Sequence, residues 1–162
     1  MVEDTMKLRL TSIASITVVI LLSNPSIANE RHTPQVIPAH EHAIANKNNL
    51  SGPSKTHGIK SVTVLGSIGL EKDFPALNGR QLRARELVIA PGGVVAVHQH
   101  DSRPGVAYIL EGEIIEHRSD QSEAIVRKQG AVAFEQSGVA HWWENKSEKP
   151  VRALVVDIVK TP

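Results

Sequence analysis

From Ile59 to the C-terminus, short runs of apolar and β-branched residues alternate with turn residues, and this punctuation constrains the fold most. Glycine and proline interrupt the runs repeatedly, for example at Pro91-Gly92-Gly93, Gly112, Gly130 and Gly138. No stretch combines a sustained 3.6-residue apolar period with helix caps. Short strands separated by turn residues at this spacing are typical of an all-β sandwich or barrel.

The predicted strands follow the runs between these turns. They cover residues 61–65, 81–90, 94–100, 106–116, 124–128, 131–135, 139–143 and 151–159. All five aromatic residues lie beyond position 70, so we expect a mainly aliphatic core in this part of the chain. About 100 residues are enough for one such domain, which we place at 59–162.

Charge and cysteine content exclude several classes of function. The formal net charge is +1 and no basic run is present, so the sequence predicts no nucleic-acid partner. The chain has no cysteine, which excludes disulfide bonds and thiolate metal ligands. Any metal ligands must therefore come from histidine, aspartate or glutamate.

The N-terminus has the pattern of a secretory signal peptide, which we place at residues 1–28. Lys7 and Arg9 precede a short apolar stretch over residues 10–22, and Ser26-Ile27-Ala28 offers the small residues of a cleavage site. The stretch is shorter than the ~20 apolar residues of a membrane span. The sequence thus predicts a periplasmic or secreted protein with no stable membrane span after cleavage, and an uncleaved anchor is the alternative.

Residues 29–58 differ in composition from the rest of the chain. They contain three prolines, four asparagines and no aromatic residue, which predicts a disordered or extended linker. Four of the eight histidines lie here, two of them in His40-Glu41-His42. A solvated linker is a better explanation of that motif than a weak metal site, because no predicted strand holds the two imidazoles.

Three histidines in the predicted barrel have the spacing of a metal site. His98 and His100 are two residues apart, so on a strand both side chains leave the same face. His141 follows 41 residues after His100 in a second glycine-framed segment. An imidazole from a neighbouring strand would complete three ligands for a divalent metal ion.

The glycines around these histidines make the pattern specific. Gly92, His98, His100 and Gly112 resemble the first motif of the cupin superfamily, G-x5-H-x-H-x(3,4)-E-x6-G. The second motif, G-x5-P-x-G-x2-H-x3-N, is similar to the segment that contains Gly130, Gly138, His141 and Asn145. The resemblance implies a double-stranded β-helix, which is a jelly-roll barrel, with His98, His100 and His141 as ligands of a divalent metal ion. Fe²⁺ is favoured, with Mn²⁺, Zn²⁺, Ni²⁺ and Cu²⁺ as alternatives.

Two positions depart from the motifs. Gln136 replaces the proline of the second motif, and Gly105 stands where the first motif has its glutamate ligand. Three interpretations of the missing glutamate remain open. The site can be a three-histidine site, whose neutral ligands leave the ion its full +2 charge and favour an anionic ligand. Asp101 can turn inward and substitute, or metal binding can be lost.

Other candidate residues depend on the predicted strand faces. Arg103, Tyr108 and Trp143 are candidates for the substrate pocket, and Glu135 or Asn145 for the group that accepts a hydrogen bond from a metal-bound imidazole. No residue stands out as a catalytic acid or base.

Three functions are consistent with these features. The first is an exported metal-binding cupin that acts on a small, anionic molecule, as an iron-dependent dioxygenase with a three-histidine site. The second is a non-catalytic module that binds a small ligand, with or without metal, because the fold alone does not determine the function. The third is a structural role, for which the dimer habit of cupins implies a homodimer.

Overall fold

The computed structural model describes residues 36–45 and 47–162 of the 162-residue chain. The predicted signal peptide, and residues 29–35 and 46 of the predicted linker, lie outside the described residues. Within the described part, no helix has both the length and the apolar character needed to cross a membrane.

One short helix, eight strands and a single 3₁₀ turn make up the described structure. They are α1 (Ala39–Ala45), β1 (His57–Gly69), the 3₁₀ turn (Pro75–Leu77), β2 (Arg80–Gln99), β3 (Gly105–Glu111), β4 (Glu113–Arg118), β5 (Ile125–Lys128), β6 (Val132–Glu135), β7 (Ala140–Glu144) and β8 (Val151–Lys160).

The strands form one antiparallel sheet that curls into a nearly closed barrel. Their order is β5-β4-β7-β2-β8-β3-β6, and β1 pairs with β2 outside this path. Alternate residues of the strands face inward, and the fully buried aliphatic residues include Ile89, Ile109, Ile114 and Val151. The all-β jelly-roll prediction is confirmed.

Glycines determine where two strands bend or end. The sequence predicts separate strands over residues 81–90 and 94–100, but β2 is continuous and changes its partner at this point. It pairs with β8 as far as Ile89 and with β7 from Val94. Gly92 between them has a φ of +71°, which a glycine adopts at no steric cost. Gly112, with a φ of +81°, divides the predicted 106–116 strand into β3 and β4.

The structure differs from the predicted linker over residues 36–45 and 47–58, which pack against the barrel. Ile37 and Ala45 are buried in hydrophobic clusters of the barrel. The segment also satisfies main-chain groups of β2: Val97 N donates to the Pro53 carbonyl oxygen, and Ala96 N donates to the Thr56 hydroxyl oxygen. These contacts with distant residues hold a segment that is too poor in apolar residues to fold by itself.

Candidate metal centre

Strands β2 and β7 bring the three predicted histidines together. His98 and His141 lie directly opposite each other in the β2–β7 pair, and His100 follows just after the end of β2. The ring centre of His98 is 4.9 Å from that of His100 and 4.3 Å from that of His141. One ligand atom from each imidazole lies within 4.8 Å of the others. All three side chains are at least 96% buried, with exposures of 4%, 1% and 2%.

Hydrogen bonds fix the orientation of each imidazole. The Nδ1 atom of His98 lies 2.8 Å from the Ala96 carbonyl oxygen, and that of His100 lies 3.0 Å from the Arg103 carbonyl oxygen. His141 Nδ1 lies 3.1 Å from Glu116 Oε1. With Nδ1 as the hydrogen-bond donor in each ring, Nε2 carries the free lone pair.

The free nitrogens suit a metal ion. His100 Nε2 and His141 Nε2 are buried and have no hydrogen-bond partner among the described residues. A buried polar atom without a partner costs about 1–3 kcal/mol, a cost that a bound ion removes. Burial lowers the pKa of His98 well below its usual value and that of His100 to about 2. Both rings are therefore in the neutral form that binds metals.

The position of the missing glutamate is enclosed by two other acids. Gly105 pairs with Glu135 of β6 on one side and with Asp157 of β8 on the other. Glu135 lines the histidine cavity, and its Oε2 atom lies 3.5 Å from His100 Nδ1. Asp101 does not substitute: its carboxylate is exposed and accepts hydrogen bonds from Gln99 and from the Gly138 amide.

The histidine cavity is small and mostly enclosed. Its volume is about 20 Å³, and it is lined by the three histidines together with Val36, Arg85, Leu87, Val95, Arg103, Glu135, Trp143 and Val155. That volume is about the size of one water molecule. The cavity thus combines apolar walls with one carboxylate and two guanidinium groups.

Two of the three predicted pocket residues line the histidine cavity, and the third does not. Arg103 and Trp143 line the histidine cavity, and the Trp143 ring meets the His141 ring edge-on at 6.1 Å between centres. Tyr108 does not: it is 41% exposed and lines neither that cavity nor the larger cavity described below. In β3 the alternation places Ala107 and Ile109 inside, so Tyr108 between them must face outward.

The two residues predicted to accept a hydrogen bond from a metal-bound imidazole lie in different surroundings. Glu135 Oε2 lies 3.5 Å from His100 Nδ1 but accepts no hydrogen bond from the described residues, since that nitrogen pairs with the Arg103 carbonyl oxygen. Asn145 has no hydrogen bond with the three histidines. Asn145 donates to the carbonyl oxygens of Ile89, Ala90 and Lys149 and so holds the turn before β8. We correct its predicted role to a structural one.

Sequence reasoning missed Glu116, which accepts the hydrogen bond from His141. Burial raises the pKa of Glu116, but the hydrogen bonds and charges of His141 and Arg127 outweigh it and hold the pKa at about 2. The carboxylate is therefore anionic, which orients the imidazole and raises its basicity as a ligand. A signal was present, since Ile114, Glu116 and Arg118 share the inward face of β4.

A second missed group is Glu41, on the segment predicted as a linker. Its carboxylate is fully buried and accepts two hydrogen bonds from Arg103, at 2.9 Å from Nε and 2.7 Å from Nη2. Arg103 also donates to Asp157 Oδ2 at 2.9 Å. Helix α1 is thus tied to the wall of the histidine cavity.

Comparison with known proteins agrees with this fold. Residues 85–157 match the family model described as "Cupin domain". The chain is 30% identical to "Germin-like protein 1" of Brassica napus over 125 residues, which are 75% of this chain and 59% of that protein. It is 34% identical to "Oxalate-binding protein" of Thermotoga maritima over 82 residues, which are 51% of this chain and 65% of that protein. The chain therefore spans less than two thirds of either curated relative.

Similarity to a solved structure supports the fold but carries no information on function. The Cnp3 cupin domain of Schizosaccharomyces pombe superposes with a TM-score of 0.51 at 13% identity, covering 65% of this chain and 64% of that one.

Proposed function

The chain belongs to the cupin superfamily, and on that premise we propose that it is a divalent-metal protein that acts on a small molecule. In this proposal His98, His100 and His141 hold the ion. The observation that supports it best is the hydrogen bonding of the three Nδ1 atoms, which leaves the Nε2 atoms of His100 and His141 buried within one histidine cluster and without a partner in the described part of the chain. Orientation of metal-binding histidines by acceptors behind them is the general rule.

Iron is the favoured metal, with manganese, zinc, nickel and copper as alternatives. Imidazole suits iron, zinc, nickel and copper, whereas manganese prefers oxygen ligands, and the choice among them depends on geometry and on metal supply. A bound Fe²⁺ ion would supply Lewis acidity and one-electron chemistry with dioxygen.

The residues around the histidines have separate tasks in this proposal. Leu87, Val155 and Trp143 exclude water from the cavity. Glu135 Oε2, which has no hydrogen-bond partner among the described residues, accepts a hydrogen bond from a hydroxyl group of the bound molecule. Arg103 gives the cavity a fixed positive charge and attracts an anion.

Metal binding is tested by elemental analysis and by titration of the stripped protein with Fe²⁺ under anaerobic conditions. We expect about one ion per chain, and a loss of binding in His98→Ala. His57→Ala is the matched control, because His57 is an exposed histidine at the start of β1. An unchanged stoichiometry in His98→Ala, or no binding of any first-row divalent ion, contradicts the proposal.

For the activity we propose an iron-dependent dioxygenase. The assay loads the protein with Fe²⁺ anaerobically and then measures oxygen uptake against a panel of small acids and enols. Uptake that is coupled to loss of one panel member, and absent in His98→Ala, is expected. Oxygen uptake equal in the two proteins contradicts this activity.

A non-catalytic ligand-binding function is the alternative, and one observation favours it. The Thermotoga maritima relative at 34% identity is named "Oxalate-binding protein". A ligand that co-purifies with the protein and is not turned over with any metal would support this alternative.

Export to the periplasm or the medium is also part of the proposal, based on the signal-peptide pattern of residues 1–28. N-terminal sequencing of the protein from its native compartment should find Asn29 as the first residue. A chain that retains residues 1–28 contradicts cleavage.

A further inference from the structure

A larger cavity lies beside the histidine cavity, between helix α1 and the ends of β2 and β8. Its volume is about 550 Å³, within the usual range for small-molecule sites. Val36, Arg85 and Arg103 line both cavities, so these three side chains form the wall between them. The large cavity therefore adjoins the histidine cavity across this wall.

The charged residues of the large cavity are predominantly basic. Its lining contains five cationic side chains and one acid: Arg80, Arg83, Arg85, Arg103, Lys160 and Glu41. Asp157 lies behind the arginines and is fully buried. Glu135 faces Arg85 and Arg103 from the histidine cavity, so five positive and three negative groups leave a surplus of two positive charges.

The internal ion pairs do not use all the arginine donors. Asp157 accepts hydrogen bonds from Arg83 and Arg103 and lies 3.4 Å from Arg85. Arg85 is only 5% exposed, and its Nε atom has no hydrogen-bond partner among the described residues. Arg80 uses Nη1 for the Ser102 carbonyl oxygen. Buried guanidinium donors without an acceptor are costly unless a ligand supplies one.

Glu41 shows which chemical group the cavity accepts. Its carboxylate meets the Arg103 guanidinium through two parallel hydrogen bonds, the geometry in which arginine binds carboxylates. Glu41 belongs to a seven-residue helix whose other polar contacts with the barrel are single hydrogen bonds, from His40 to Ser102 and from His42 to Val97. A ligand carboxylate that takes this place on Arg103 must displace the buried Glu41, which requires helix α1 to move away from the barrel.

We propose that the arginine-lined cavity binds a small organic anion with at least two carboxylates, one of which competes with Glu41 for Arg103. The surplus of positive charge requires more than one negative group, and the planar guanidinium groups favour carboxylates. This inference extends the proposed function, since it names the substrate class, but binding in this cavity does not require a metal ion.

The test measures malonate and succinate binding to the full chain by isothermal titration calorimetry, before and after removal of metal. Arg80→Gln is expected to weaken binding by about tenfold, because it removes one charged hydrogen-bond donor. Arg152→Gln is the matched control: this arginine of β8 pairs with Glu86 on the exterior and does not line the cavity. Glu41→Gln is expected to strengthen binding several-fold, because the competing charge is removed.

Each outcome bears on the inference. Malonate binding in the metal-free protein that is retained in His98→Ala and weakened in Arg80→Gln supports it. Binding that requires metal and disappears in His98→Ala overturns it, because the anion then occupies the metal centre, and the proposed function survives. Phosphate or acetate binding as tightly as malonate overturns the dicarboxylate assignment. Equal affinity of wild type, Arg80→Gln and Arg152→Gln also overturns it, even where Glu41→Gln does not fold.

Discussion

Gly105 stands where the first cupin motif has a glutamate, and the structure predicts that no side chain fits there. A Cβ atom on Gly105 would lie 2.5 Å from the Val156 carbonyl oxygen and 2.9 Å from the Asp157 Cβ atom. Favourable contacts between carbon atoms begin at about 3.5 Å. Two of the three nearest atoms belong to the main chain of β8, so the strand itself must move.

The loss of stability expected for Gly105→Ala follows from this geometry. Overpacking a filled site costs about 1–3 kcal/mol, and main-chain displacement places Gly105→Ala in the upper part of that range. Replacing glycine by alanine also restricts the unfolded chain, which returns about 0.4–1 kcal/mol. We therefore expect a net loss of about 1–2.5 kcal/mol in the free energy of unfolding.

Urea unfolding followed by tryptophan fluorescence and circular dichroism measures this loss. Gly66→Ala is the matched control, since Gly66 is a strand glycine with open space around its Cβ position and no positive φ. We expect Gly66→Ala to stabilise the protein by about 0.4–1 kcal/mol, because it restricts the unfolded chain without a clash in the folded one. Gly105→Glu, which restores the motif, should lose stability without gaining metal affinity. A Gly105→Ala variant as stable as Gly66→Ala would refute the steric argument.

Three further predictions follow from contacts around the two cavities. Burial raises the pKa of Asp157, but its hydrogen bonds and ion pairs with arginines outweigh this and keep it below the usual value. The ionised Asp157 carboxylate therefore stabilises the fold above about pH 4, and this stabilisation is lost as the pH falls further. In Asp157→Asn the free energy of unfolding should no longer show this loss when it is measured as a function of pH. Glu116→Ala should weaken metal binding about 10–100-fold in the Fe²⁺ titration by releasing His141, whereas the exposed Glu113→Gln on the same strand should not. Tyr108→Phe should leave malonate affinity in calorimetry within about twofold, because Tyr108 lines neither cavity.

The histidine cluster could be predicted because its information is local. The i, i+2 spacing of His98 and His100 fixes their common face, and the glycine frame around His141 identifies the second strand. The barrel class followed in the same way from turn residues and alternation. The partner change of β2 at Gly92 was not predictable, since it depends on β8 and β7 as neighbours rather than on the residues of β2.

The acids around the cluster could not be predicted for a related reason. Glu135 lies opposite Gly105 only through the register of β3 with β6, which no local pattern reports. Glu41 lies in a segment whose composition indicates a linker, and its burial depends on Arg103, 62 residues further along the chain. Asn145 matched the second motif, but its amide turned out to hold a turn.

The register also explains why the site keeps a carboxylate after losing the motif glutamate. Gly105 lets β8 approach closely, and the same approach places Asp157 beside it. Asp157 is committed to Arg83, Arg85 and Arg103 and does not line the histidine cavity, whereas Glu135 from the other neighbouring strand does. The histidine cavity therefore has, on the β6 side, a carboxylate oxygen without a hydrogen-bond partner among the described residues, and the guanidinium groups of Arg85 and Arg103 on the other.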